Sequence, residues 1–121
     1  MKGNTIRRAL GMTASLFAVS LVFACNGGIG PGSGVVGGPC SVDTQCQSRC
    51  LNTHDFGGGM CTVSCRFDAD CPGGTTCIDK SNGVCAIQCA SPQDCADFGP
   101  GWTCAAEDHV AGGQALVCRV P

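Results

Sequence analysis

Along the chain, apolar and polar positions fall into three regimes. From Ala9 to Phe23 the apolar residues are nearly continuous behind the basic residues Lys2, Arg7 and Arg8. The run is shorter than the ~20 residues of a spanning helix and is interrupted by Gly11, Thr13, Ser15 and Ser20, so it predicts an export signal over residues 1–24 rather than an uncleaved anchor helix. From Asn26 to Pro39 the sequence NGGIGPGSGVVGGP is half glycine and has no period. Composition alone predicts a flexible tether there, reaching about 20 Å by the square-root rule. From residue 40 onward, short β-prone runs come in pairs across glycine-bearing loops. They are Cys50 to Thr53 with Met60 to Val63, Thr75 to Asp79 with Val84 to Ile87, and Trp102 to Ala106 with Ala115 to Val120. Each pair predicts a β-hairpin. Little helix is expected, at most about one turn before each hairpin.

Cysteines punctuate the third regime at a repeating interval. Cys40, Cys46, Cys50 and Cys61 form one group, Cys65, Cys71, Cys77 and Cys85 a second, and Cys89, Cys95, Cys104 and Cys118 a third. The groups start 25 and 24 residues apart, each opens with a five-residue gap, and three residues separate each group from the next. The units therefore span residues 40–61, 65–85 and 89–118 of a domain over residues 40–121. Short repeats of fixed period predict stacked units that depend on their neighbours. Within each opening gap, Asp43-Thr44-Gln45, Asp68-Ala69-Asp70 and Pro92-Gln93-Asp94 supply carboxylates and amides suited to closing turns on backbone N–H groups.

Composition makes the fold class specific. Thirteen cysteines in 121 residues is the density of a disulfide scaffold. After residue 25 only Phe56, Phe67, Phe98 and Trp102 supply aromatic bulk. Units this short fall below the roughly 40 residues at which chains need covalent or metal staples. The expected architecture is small and disulfide-rich, with three tandem four-cysteine β-hairpin units and no large hydrophobic core.

The export signal ends Leu21-Val22-Phe23-Ala24-Cys25. An apolar run with a small residue before a cysteine resembles the lipobox of bacterial lipoproteins. The resemblance implies that Cys25 is alkylated by a diacylglyceryl group and becomes the new N-terminus after cleavage. Val22 and Ala24 also suit an ordinary signal peptidase, and parity decides between the two. An odd cysteine count in an exported chain calls for a reason, and setting Cys25 aside leaves twelve, three groups of four. Residues 25–39 are then the lipidated cysteine and its tether, and membrane lipid is an expected partner through acylated Cys25. Asn26 after the cysteine, by resemblance to the enterobacterial sorting rule, favours the outer membrane of a bacterial cell envelope. Ile6 stands where the twin-arginine motif prefers Ser or Thr, so general secretion is the expected route.

The spacing from Cys65 to Cys85, five and five residues followed by a hairpin, resembles the first half of the Dickkopf N-terminal cysteine-rich domain. That resemblance implies first-to-third and second-to-fourth pairing in every unit. The bridges would be Cys40-Cys50, Cys46-Cys61, Cys65-Cys77, Cys71-Cys85, Cys89-Cys104 and Cys95-Cys118. The Wnt-signalling role of that family does not carry over, because no receptor-contacting motif is shared.

Charge and chemistry then exclude several function classes. After Ala24 only Arg49, Arg66, Lys80 and Arg119 oppose all nine acidic residues, a poor balance for neutralising phosphates, so no nucleic-acid partner is expected. There is no Cys-x-x-Cys, which argues against structural zinc and against a redox enzyme. His54 and His109 each neighbour an Asp, yet no Ser motif or spare thiol accompanies them, so the chain is read as non-enzymatic and without cofactor. Asp43, Asp68, Asp70 and Asp94 could gather calcium, but the EF-hand pattern is absent and turn capping accounts for them.

The third unit departs from the repeat. Eight residues separate Cys95 from Cys104 and thirteen separate Cys104 from Cys118, against five and seven in the second unit. The insertions bring Phe98-Gly99-Pro100-Gly101-Trp102 and a longer tip carrying His109. Phe98, Trp102 and His109 are the candidate binding residues for a protein or glycan partner, since insertions in repeats map to one face. The competing reading is that a terminal unit caps the stack, with Trp102 covering its last disulfide. A rival function is protease inhibition, with Lys80 or Arg49 entering a basic-specific pocket.

Overall fold

The computed structural model describes residues 28–121. It contains three two-stranded antiparallel sheets in chain order. β1 (Arg49–Leu51) pairs with β2 (Met60–Thr62), β3 (Thr75–Ile78) with β4 (Val84–Ile87), and β5 (Thr103–Asp108) with β6 (Gln114–Arg119). A 3-10 turn precedes each hairpin, at Asp43–Gln45, Asp68–Asp70 and Pro92–Phe98, and a further one, His54–Phe56, closes the first hairpin loop. Among the described residues this is all the helical structure. At the tip between β3 and β4, Ser81 and Asn82 both take positive φ, the backbone that a tight hairpin reversal requires.

Six disulfides join all twelve cysteines from Cys40 to Cys118. The pairs are Cys40–Cys50, Cys46–Cys61, Cys65–Cys77, Cys71–Cys85, Cys89–Cys104 and Cys95–Cys118. This is the order that the spacing resemblance implies. In every unit the third and fourth cysteines face each other across the hairpin, as Cys50 faces Cys61, Cys77 faces Cys85 and Cys104 faces Cys118. Each then bonds to a cysteine flanking the 3-10 turn or, for Cys95 in the longer third turn, lying within it. Two staples therefore clamp every turn onto its hairpin, replacing the apolar area that so short a unit cannot bury.

The turns carry their own repeated hydrogen bonds. Gln45 Oε1 accepts from the Ser41 and Val42 amides at 2.5 and 3.2 Å. Asp70 Oδ2 accepts from Arg66 and Phe67 at 2.8 and 3.2 Å, and Asp94 Oδ2 from Ala90 and Ser91 at 2.7 and 3.1 Å. Asp43 and Asp68 reach further, each taking the amide of the third cysteine, Cys50 or Cys77, at 2.8 Å. The third unit has Pro92 at that position and lacks this bond; there the turn runs on to Phe98. The acids of the opening gaps are thus committed to backbone N–H groups, as turn capping requires.

The buried interior is a thin seam of cystines with Val36, Leu51, Phe56, Met60, Ile78, Val84 and Val117. It is shared by all three units, and they close on one another instead of stacking in a line. The first meets the second where Thr62 Oγ1 donates to the Cys85 carbonyl at 2.7 Å. The second meets the third where Asp79 donates to the Asp108 carbonyl at 2.7 Å and Val110 to that of Cys77 at 3.3 Å. The third returns to the first through the Val120 amide, which donates to the Asp55 carbonyl at 2.8 Å. The third hairpin thus spans both neighbours, its tip on the second unit and its base on the first.

One expectation needs correction. Residues 28–39, read from composition as a free tether, are packed onto the body. Val36 is completely buried. Gly37 donates to the Cys61 carbonyl at 2.9 Å, and Cys61 donates back to Gly38 at 2.8 Å. Gln47 donates to the Gly34 carbonyl at 2.8 Å. Gly37 has φ +121°, and a Cβ there would collide with the Gly30 backbone. That glycine serves close approach of two chain segments, whereas glycine count alone reads as entropy.

Candidate functional site

Of the three candidate binding residues, the structure brings Phe98 and Trp102 together and sets His109 apart. Phe98 ends the long 3-10 segment, and Gly99 and Gly101 follow with φ 116° and 92°. The chain thereby folds back, the Trp102 amide donates to the Gly99 carbonyl at 3.3 Å, and the two rings stack with centroids 4.8 Å apart. Both are half-buried. Trp102 also crosses to the first unit: a Cβ on Gly57, whose φ is +71°, would stand 2.9 Å from its Cζ2. The indole therefore does fasten the third unit to another part of the molecule, but at Gly57. Beside it opens a cleft of about 230 Å³ lined by Pro31, Gly37, Pro39, Gly57, Gly59, Phe98 and Trp102. No residue of that lining is charged, and three of its seven residues, Pro31, Gly37 and Pro39, come from the packed segment before Cys40.

His109 occupies the tip of the third hairpin and leans on the second unit. Its Nε2 lies 2.9 and 3.1 Å from the two Asp68 carboxylate oxygens. Its Nδ1 accepts from the Ala111 amide at 3.0 Å, which leaves the ring hydrogen on Nε2, donating to Asp68. Asp68 also accepts from the Cys77 amide and, at 2.9 Å, from the Thr76 hydroxyl. The Cys77 amide, then His109 and Thr76, hold its carboxyl down to about 2. The His109 backbone bonds with Gly112 and Gly113 at the hairpin tip and bridges Ile78 of the second unit. The shallow hollow around it, about 240 Å³, is lined by Arg66, Phe67, Val110 and Ala111, and Phe67 is two-thirds exposed at 66%. His54, by contrast, is an exposed turn residue.

A charged cluster that no sequence pattern marks joins the three units. Lys80 Nζ lies 2.6 Å from Asp55 Oδ2 and 4.0 Å from Glu107 Oε1. Arg119 lies 3.6 Å from Asp55 and donates to Glu107 as well. Two cations and two anions alternate, with side chains only 11–25% exposed. Burial pushes the Asp55 carboxyl up, but the Lys80 ammonium and neighbouring hydrogen bonds outweigh it and leave it lowered. Lys80 is thus engaged with both acids of the cluster. Arg49 donates to the Ser64 hydroxyl at 3.0 Å and to the Ser81 carbonyl at 3.4 Å.

The sulfurs of Cys40, Cys46 and Cys50, of Cys65, Cys71 and Cys85, and of Cys89, Cys95 and Cys118 each gather within 4.8 Å. Every one of them is half of a disulfide, and a metal site of this type needs thiolates. Residues 1–27, with the export signal and Cys25, lie outside the described residues. No helix among the described residues is long and apolar enough to cross a membrane. No family model, no curated protein and no solved structure matches the chain.

Proposed function

We propose that this chain is an exported, non-enzymatic bacterial lipoprotein, anchored through a diacylglyceryl group on Cys25. Its disulfide-stapled body presents loops to a protein or glycan partner in the cell envelope, on the outer membrane. The observation that carries the reading is cysteine accounting. The chain has thirteen cysteines, and twelve are consumed by six bridges within the body. The thirteenth stands directly after an apolar run and a small residue, where acylation and cleavage would both act. Six disulfides also fit an oxidising compartment. Phe98, Trp102 and His109 all lie on the third unit, and the loop offered to a partner is the His109 tip, set apart from the aromatic pair.

The test is the intact mass of the chain purified from membranes without reduction. It should equal residues 25–121 with six disulfides and a diacylglyceryl adduct. A Cys25→Ala chain should leave the membrane fraction, and continued membrane partition would refute the anchoring. For the partner, crosslinking in the native envelope should capture a protein or glycan through the His109 tip, and capture that survives His109→Ala together with Phe67→Ala would remove that tip from the reading.

A further inference from the structure

We infer that the Phe98–Trp102 cleft is the face through which the body rests on the phospholipid headgroups. The inference rests on the proposed acylation of Cys25. It starts from the length of chain left between the acyl group and the folded body. A tether over Asn26 to Pro39 would hold the body about 20 Å away. Packing of residues 28–39 removes nearly all of that reach. Three residue steps separate Cys25 from Gly28, about 10 Å even when fully extended.

Gly28 is itself held down. Its carbonyl accepts from the Ser33 hydroxyl at 2.6 Å, the same hydroxyl accepts from the Val35 amide at 3.0 Å, and Gly30 donates to Val36 at 2.9 Å. The short leash therefore leads straight into the Gly30–Val36 loop, whose Pro31 forms one wall of the aromatic cleft. Whatever surface the acyl group enters, this part of the body must meet it.

The chemistry of the cleft suits a bilayer surface. Its lining carries no charged side chain, while acids outnumber bases by five after Ala24. Anionic headgroups repel an acidic surface within a Debye length of about 10 Å, so an uncharged face is the one that can lie close. A stacked Phe–Trp pair, half-buried and bordered by prolines, presents the amphipathic rings that settle at the boundary of headgroup and hydrocarbon. His109, in a separate hollow against the second unit, is left for the partner.

Trp102 is the only tryptophan and there is no tyrosine, so intrinsic fluorescence reports this one position without any substitution. The acylated full-length mature chain, its adduct verified by mass, is reconstituted in phosphatidylethanolamine–phosphatidylglycerol vesicles, with and without lipids brominated near the headgroup. Loss of most Trp102 emission in the brominated vesicles is expected, together with a blue shift relative to the Cys25→Ala chain in solution. A spacer of about twenty Gly and Ser residues before Gly28, giving about 25 Å of reach, should restore the emission. Equal emission in brominated and ordinary vesicles from a mass-verified acylated chain overturns the inference while leaving the anchor intact. Undiminished quenching with the spacer overturns it too, since the leash would not be what seats the cleft. Absence of the adduct overturns the anchoring proposal beneath it.

Discussion

Replacing Val36 by alanine tests whether the segment before Cys40 belongs to the fold. Among the described residues no disulfide encloses residues 28–39, since the first bridge begins at Cys40. The segment can therefore lift away while all six bridges stay closed, and only noncovalent contacts resist. Val36 is completely buried, and its amide partner region is tied by the Gly37–Cys61 and Cys61–Gly38 hydrogen bonds. Val36→Ala removes two buried carbon groups at about 0.8 kcal/mol each, plus a small cavity term, for about 2 kcal/mol. If lifting is the route to exchange, that raises the open population about thirtyfold. Native-state hydrogen exchange at the Gly37 and Cys61 amides measures it. Both should speed up by that factor, whereas Cys85, which donates to Val63 deeper in the body, should not change. Unchanged exchange at Gly37 would refute the packing argument and with it the short leash at the membrane.

Two further outcomes follow from the charged groups. Asp55→Asn removes the carboxylate shared by Lys80 and Arg119 and leaves both cations to Glu107. For a partly exposed cluster the loss is about 1 kcal/mol, so exchange of the Val120 amide that closes the third unit on the first should accelerate about fivefold; no change there would mean that closure does not depend on the cluster. For Asp68 the folded state favours the carboxylate, so its stabilisation is complete above the ordinary value of 3.8 and is lost as pH falls through about 2. The Cys77 amide resonance should titrate with a midpoint near 2 and become flat in Asp68→Asn, and a midpoint near 3.8 would contradict the hydrogen-bonding account.

Local features were the legible ones. The pairing of Thr75–Ile78 with Val84–Ile87 follows from a β-prone run, a Gly-bearing reversal and a second run, all within a dozen or so residues. The caps at Gln45, Asp70 and Asp94 follow from acid or amide placement one residue before the second cysteine. Features that depend on tertiary closure left no local mark. Asp68 and His109 meet across 41 residues, and Lys80 and Asp55 across 25, with nothing periodic connecting them. The segment before Cys40 misled composition for a physical reason. Glycine lowers the cost of disorder, but it also lets backbones approach closely, and Val36 supplies the burial that tips residues 28–39 toward the second outcome. Trp102 could be placed on an insertion, but its seat on Gly57 could not be known without the return of the third unit to the first.

That return ties the order of the three units together. Open solenoids lengthen by adding modules, because each new one needs only the exposed edge of the last. Here the Val120 amide and the Arg119 guanidinium of the third unit are already spoken for by Asp55 of the first. A fourth module spliced between the second and third would carry β6 away from Asp55 and open the seam that buries Phe56 and Val117. A module inserted between the second and third units would therefore have to break a closed circuit. Within that circuit the third unit departs from the others in the lengths of its Cys95–Cys104 loop and of its hairpin, changes that a closed arrangement tolerates without adding a module.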